Sequence, residues 1–173
     1  MIYGITMGDS SGVGPEILLR AFRDGQLLPS PVVFGDLSVL ELCNRRLGYG
    51  VSLRAATSVD DLRAGWLNIL DAGRLREEDV TPGLLNGKSG AAARDYVVAA
   101  AQAALDGRIA AMVTLPMNKE ATRLSDPVFT GHTELIGSVC GVRDVTIMLA
   151  SEQLIVTHVS THVSLRTAIE RVK

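Results

Sequence analysis

Residues 2–22 read IYGITMGDSSGVGPEILLRAF, and the order of residue types in this stretch decides the fold class. Ile2 to Met7 form a short apolar run of the kind that makes a buried strand. Residues 8–14, GDSSGVG, are a glycine-rich loop. Pro15 then suits the first turn of a helix, where a missing N–H costs nothing, and Glu16 favours the positive end of the same helix. Residues 17–22, ILLRAF, continue it. A strand passing through a tight loop into a helix is the start of an α/β alternation.

The alternation continues outward from that unit. Residues 31–36, PVVFGD, read as a second strand, followed by a helix carrying Leu37, Val39, Leu40 and Leu42. Residues 51–80 are less regular: VSLRAA and WLNIL both suit strands, and the acidic REED suits a solvated loop. From Ser89 the apolar residues Ala92, Tyr96, Val97, Ala100, Ala101, Ala104 and Leu105 fall at three- and four-residue spacing, which predicts a helix. Gly107 is its expected stop. IAAMVT (109–114) reads as a strand and LPMNKEA (115–121) as a turn into another helix. DVTIMLAS (144–151) and QLIVTHVSTH (153–162) are rich in β-branched residues and flank a short polar turn at Glu152, which predicts a hairpin. LRTAIERVK (165–173) opens a further helix. The pattern as a whole predicts a layered α/β fold with a largely parallel sheet and one antiparallel insertion.

Composition sets the limits. The 173 residues suffice for one good-sized domain, and 47% are apolar but only 4% aromatic, so the core must be aliphatic. A formal net charge of -2 with no basic stripe argues against nucleic acid as a partner, while a small phosphorylated metabolite needs only a few local donors. Cys43 and Cys140 form no CxxC pair, which suggests neither a disulfide framework nor a cysteine zinc site and makes a reducing cytoplasm the expected setting. The most apolar long segment, Tyr96 to Leu115, is interrupted by Gln102, Asp106 and Arg108, so no membrane span is expected.

Five stretches invite chemistry, and each has a plain alternative. MGDSSGVGPE (7–16) could present backbone N–H groups to an anion, or its glycines could serve turn geometry alone. Gly8, Gly12 and Gly14 have the wrong spacing for the dinucleotide fingerprint. NGKSG (86–90) fails the phosphate-loop pattern because Pro82 stands where a glycine is required, leaving a turn with Ser89 near a helix N-terminus. His158 and His162 form HxxxH, but on a strand four residues span about 13 Å, too far for both to bind one ion at about 2.1 Å. At most one is a ligand, and His162, near the strand's end, is the better placed. His132 and Thr133 in FTGHTE (129–134) could grip a phosphate or carboxylate, or could cap the helix beginning at Leu135. Lys119 in LPMNKEA could meet an anion or a substrate carbonyl, or be a solvated lysine at a helix start.

Taken together, MGDSSGVGPE, LPMNKEA, FTGHTE and IMLASEQLIVTHVSTHVSLR (147–166) run in this order along nearly the whole chain. They resemble the N-terminal part of the 4-hydroxythreonine-4-phosphate dehydrogenase family of pyridoxal phosphate (vitamin B6) biosynthesis. The resemblance implies a three-layer α/β/α fold similar to isocitrate and isopropylmalate dehydrogenases. It implies NAD-dependent oxidation and decarboxylation of 4-phosphooxy-L-threonine in a cytoplasmic homodimer with a shared active site. It implies a divalent metal ion (zinc, magnesium or cobalt) that polarises the developing carbonyl. By motif match, His132 and Thr133 would bind substrate, His162 would bind the metal, Asp9 and Lys119 would line the cleft as catalytic residues, and His158 would be structural. Family members are longer, so residues 1–173 are expected to be the N-terminal portion of a two-domain enzyme, without the C-terminal NAD-binding part and the remaining metal histidines. Ser10 and Ser11 stand where proline and alanine are more usual in the family, which points to a subgroup. Two alternatives accompany this expectation: a related dehydrogenase of D-erythronate or D-threonate 4-phosphate, and a truncated, non-catalytic binding or assembly module.

Overall fold

The computed structural model describes residues 1–160 and 163–172. The opening stretch folds as the sequence predicts: strand β1 spans Tyr3–Thr6 and helix α1 spans Gly14–Arg23, with Pro15 in its first turn. Strand β2 (Pro31–Gly35) leads into α2 (Leu37–Leu47), which ends on Gly48 in the left-handed conformation. The irregular region supplies β3 (Leu53–Ala55), β4 (Leu67–Asp71) and, where the acidic run was expected to be loop, a single 3-10 turn at Glu77–Asp79 with no buried residue. Helix α3 (Gly87–Leu105) starts from Asn86, whose side chain accepts the N–H groups of Lys88 and Ser89. Strand β5 (Met112–Thr114) is shorter than the 109–114 expected. Short helix α4 (Lys119–Arg123) and helix α5 (His132–Val139) follow.

The five strands form one all-parallel sheet in the order β3-β4-β2-β1-β5. Right-handed crossovers fix where the helices go. The steps carrying α1 and α2 move the chain toward β3, whereas the step carrying α3 returns it past β2 and β1 to β5, so α3 covers the opposite face. This gives the three layers. The core between them is aliphatic, with Met7, Leu18, Leu19, Val32, Val33, Leu40, Leu67 and Ile69 sealed from solvent. Burying each Val, Leu, Ile or Met side chain contributes about 1.5–3 kcal/mol. Alanines 92, 93, 100, 101 and 103 form the buried side of α3. Gly90, on the same helix, meets α4 so closely that a Cβ there would lie 2.3 Å from the carbonyl carbon of Ala121.

Several polar groups are buried with this core, and Asp36 is the one that joins two layers. Asp36, fully buried at the end of β2, accepts the N–H groups of Arg74 (2.7 Å) and Leu75 (3.0 Å). It also accepts the hydroxyl of Tyr96 from α3. The carboxylate therefore ties the third layer to the loop that follows β4.

The predicted hairpin is present as β6 (Met148–Ala150) and β7 (Ile155–Thr157), antiparallel, with Leu149 opposite Val156. Its residues are exposed on both faces, including Met148, Leu149, Ile155 and Val156. The last helix, α6, spans Leu165–Arg171. Cys43 and Cys140 are free thiols. Among the described residues no helix is long and apolar enough to cross a membrane.

Candidate active site at the sheet's switch point

After β1 the chain turns one way to β2, and β5 lies on β1's other side. The crevice outside the carboxyl ends of β1 and β5 is thus a topological switch point, where open parallel sheets bind ligands. Residues from both strand ends line a cleft of about 390 Å³ there, among them Asp9, Ser11, Gly12, Gly83, Pro116 and Asn118.

The glycine loop is built for packing. Gly8 has φ 73°, and a Cβ on it would lie 2.4 Å from the Pro116 carbonyl oxygen; on Gly14 a Cβ would lie 2.2 Å from that of Met7. Turn geometry and close packing thus account for Gly8 and Gly14. The loop brings Asp9 to the crevice, its N–H donating to the Pro116 carbonyl (2.9 Å) across the switch point. The Asp9 side chain is only 5% exposed. Burial pushes its carboxyl above the usual carboxylate range, opposed by the N–H groups of Ser11 and Asn118.

Asn118 caps α4 by accepting the N–H groups of Glu120 and Ala121. Lys119, next in the chain, is exposed, and its ammonium reaches toward the start of α5. A Cβ on Gly131 would lie 3.5 Å from Lys119 Nζ and 3.2 Å from Glu134 Oε2. Gly131 is the residue that opens α5. Neither His132 nor Thr133 caps this helix, which has no side-chain cap at all; both sit in its first turn, half-buried. His132 Nε2 is buried and finds no hydrogen-bond partner among the described residues. Burial, and secondarily the positive charge of Lys119, push its pKa below the ordinary histidine value, so the ring is neutral at pH 7.

The candidate site thus has two adjoining parts. Asp9 lines the cleft proper; Lys119 and His132 meet just beyond Asn118 and do not line it. A cation, a neutral imidazole with a free nitrogen and the N–H groups of a helix start suit a phosphate or carboxylate. His162, the residue expected to bind metal, lies outside the described residues. His158 follows β7 directly, its N–H donating to Ile147 (3.2 Å) and its carbonyl accepting from Thr146 (2.6 Å). Among the described residues no three His, Cys, Asp or Glu side chains gather as a metal site.

Sequence reasoning gave Asn118 no role and read Ser11 only as a subgroup marker, yet the backbone N–H groups of both orient the Asp9 carboxylate. A signal was present: asparagine directly before a predicted helix is a strong N-cap.

Parallel strands wound both ways from β1, with polar groups from two strand ends meeting at the crevice, define a doubly wound α/β protein with a polar cleft at its switch point. Residues 28–173 match the family described as Pyridoxal phosphate biosynthetic protein PdxA, and the chain belongs to that family. It is 35% identical over 176 residues to the D-threonate 4-phosphate dehydrogenase of Cupriavidus necator, covering 99% of this chain and 53% of the relative. It is 34% identical to the 4-hydroxythreonine-4-phosphate dehydrogenase of Beijerinckia indica, covering 96% and 50%. The crystal structure of a 4-hydroxythreonine-4-phosphate dehydrogenase from Burkholderia phymatum superposes with a TM-score of 0.87 at 34% identity, over 98% of this chain and 52% of that one. The chain therefore spans about half the length of the relatives it matches.

Proposed function

We propose that this chain forms the substrate-anchoring half of an NAD-dependent dehydrogenase that oxidises a small phosphorylated hydroxy acid. D-Threonate 4-phosphate and 4-hydroxythreonine 4-phosphate, the substrates in its relatives' names, are the candidate substrates, the second taken as 4-phosphooxy-L-threonine. The observation that carries the reading is the closeness of Lys119 to His132, whose Nε2 is buried without a partner at the start of α5. Lys119 supplies charge to the anionic end of the substrate. His132, neutral, offers a directed hydrogen bond, and Thr133 a hydroxyl in the same helical turn. Asp9, its carboxyl pushed above the usual carboxylate range by burial, is the group able to exchange a proton near the reacting alcohol.

In this reading the chain is the N-terminal portion of a longer enzyme. Its half-length coverage of the relatives supports assigning NAD and the other metal ligands to residues beyond those described, with His162 contributing one ligand. A bound divalent ion would stabilise negative charge on the substrate oxygen. The enzyme acts as a cytoplasmic homodimer. The reading is tested by assaying the complete protein with D-threonate 4-phosphate, D-erythronate 4-phosphate and 4-phosphooxy-L-threonine, following NADH by absorbance. Turnover of one of the three, dependent on the phosphate group, is the expected result. Absence of turnover with all three would favour a binding or assembly module.

A further inference from the structure

At the wall of the cleft three buried serine hydroxyls meet. Ser89, sealed from solvent in the first turn of α3, contacts Ser10 Oγ at 2.6 Å and Ser11 Oγ at 2.9 Å. Ser10 and Ser11 are each only 4% exposed, so each hydroxyl depends on these contacts. Ser11 is held from a second side, accepting the N–H of Thr81 on its Oγ (3.2 Å) and that of Gly83 on its carbonyl oxygen (2.9 Å). The N–H of Ser11, so fixed, donates to Asp9 Oδ1 at 2.8 Å. Ser89 is therefore two bonds removed from the Asp9 carboxylate that lines the cleft.

We infer that Ser89 is a positioning residue: its hydroxyl locks the 9–12 loop so that the Ser11 N–H holds the Asp9 carboxylate in the cleft. The inference rests on the proposed role of Asp9 in the site. Without the Ser89 hydroxyl, Ser10 and Ser11 lose a shared buried partner and the loop shifts to find others. The Gly83 bond keeps the loop packed, so Asp9 stays buried while the hydrogen bond that favours its charged form weakens. The ionisation of Asp9 is set by burial and by the N–H groups of Ser11 and Asn118, which makes its titration a direct report on this geometry.

The test is a carbon-detected NMR titration of the Asp9 carboxyl in the complete protein labelled at aspartate, with the signal assigned by Asp9→Asn. In Ser89→Ala the Asp9 midpoint should rise by about half a pH unit or more, and Ser89→Thr should restore it. Ser11→Ala, which cuts the same link from the loop side, should reproduce the rise if Ser89→Ala folds poorly. A midpoint unchanged in both alanine variants overturns the positioning role. The site reading has a separate check: Asp9→Asn should lower kcat/KM at least about tenfold, and an unaltered rate would remove Asp9 from the site whatever the titration shows.

Discussion

Asp36→Ala should destabilise the protein by about 4 kcal/mol, on the basis that each orphaned buried donor costs about 1–3 kcal/mol. The substitution strips the partner from three donors at once: the buried N–H of Leu75 and hydroxyl of Tyr96, and the part-buried N–H of Arg74. Tyr96→Phe should cost much less, about 1–2 kcal/mol, because the carboxylate keeps both backbone donors. Burial first, and then the adjacent Asp36 carboxylate, push the Tyr96 hydroxyl far above its usual range, so it remains a donor at every working pH. Urea unfolding of the two variants checks the pair.

The pH dependence has a definite sign. Burial raises the Asp36 pKa in the folded protein above its value in the unfolded chain. Its titration therefore favours the fold most below the unfolded carboxylate range, near pH 3.9, and this contribution is lost as pH rises through the raised value. The deficit of Asp36→Ala should accordingly be largest in acid and shrink toward neutrality. A deficit below about 0.5 kcal/mol, typical of a surface change, would contradict the assignment of Asp36 as the tie between layers.

Lys119→Met and His132→Gln should each lower kcat/KM of the complete protein for its phosphorylated substrate by about 10- to 100-fold. A hydrogen bond to a charged group is worth about 1.5–3 kcal/mol, and each 1.4 kcal/mol is tenfold. The Lys119 loss should fall mainly on KM, since an ammonium holding a phosphate grips substrate and transition state alike. Lys119→Met should also raise the His132 pKa, because the like charge that helps depress it is gone. A fall in kcat with unchanged KM for Lys119→Met would move the lysine from anchoring to chemistry.

How far the sequence carried depended on whether the governing physics was local. The strand–glycine–proline unit at 2–22 was readable because Gly8, Gly14 and Pro15 meet backbone requirements within a few residues. The hairpin was readable because β-branched runs flank a polar turn. The helix at 132–139 was placed nearly right, but its opening residue is Gly131 rather than a capping side chain, because no hydroxyl or carboxylate accepts the first N–H groups.

Long-range matters were not legible. Nothing near Asp36 signals that Tyr96, 60 positions later, donates to it. Nothing in NGKSG signals that Ser89 joins two serines of the first loop. The candidate site was half legible: the motifs named Asp9, Lys119 and His132, but the division into a cleft at Asp9 and an anchor at Lys119 and His132 follows from which strand ends lie side by side.

The central claim is that His132 and Lys119 together hold the phosphorylated end of the substrate. Nitrogen-15 NMR of the His132 ring in the complete protein tests it most directly. Before ligand is added, the ring should stay neutral to below the ordinary histidine pKa. Adding D-threonate 4-phosphate or 4-phosphooxy-L-threonine should then give a saturable shift of Nε2, much weakened in Lys119→Met. A ring that titrates as a free histidine and ignores both compounds while the enzyme turns them over would place the substrate elsewhere.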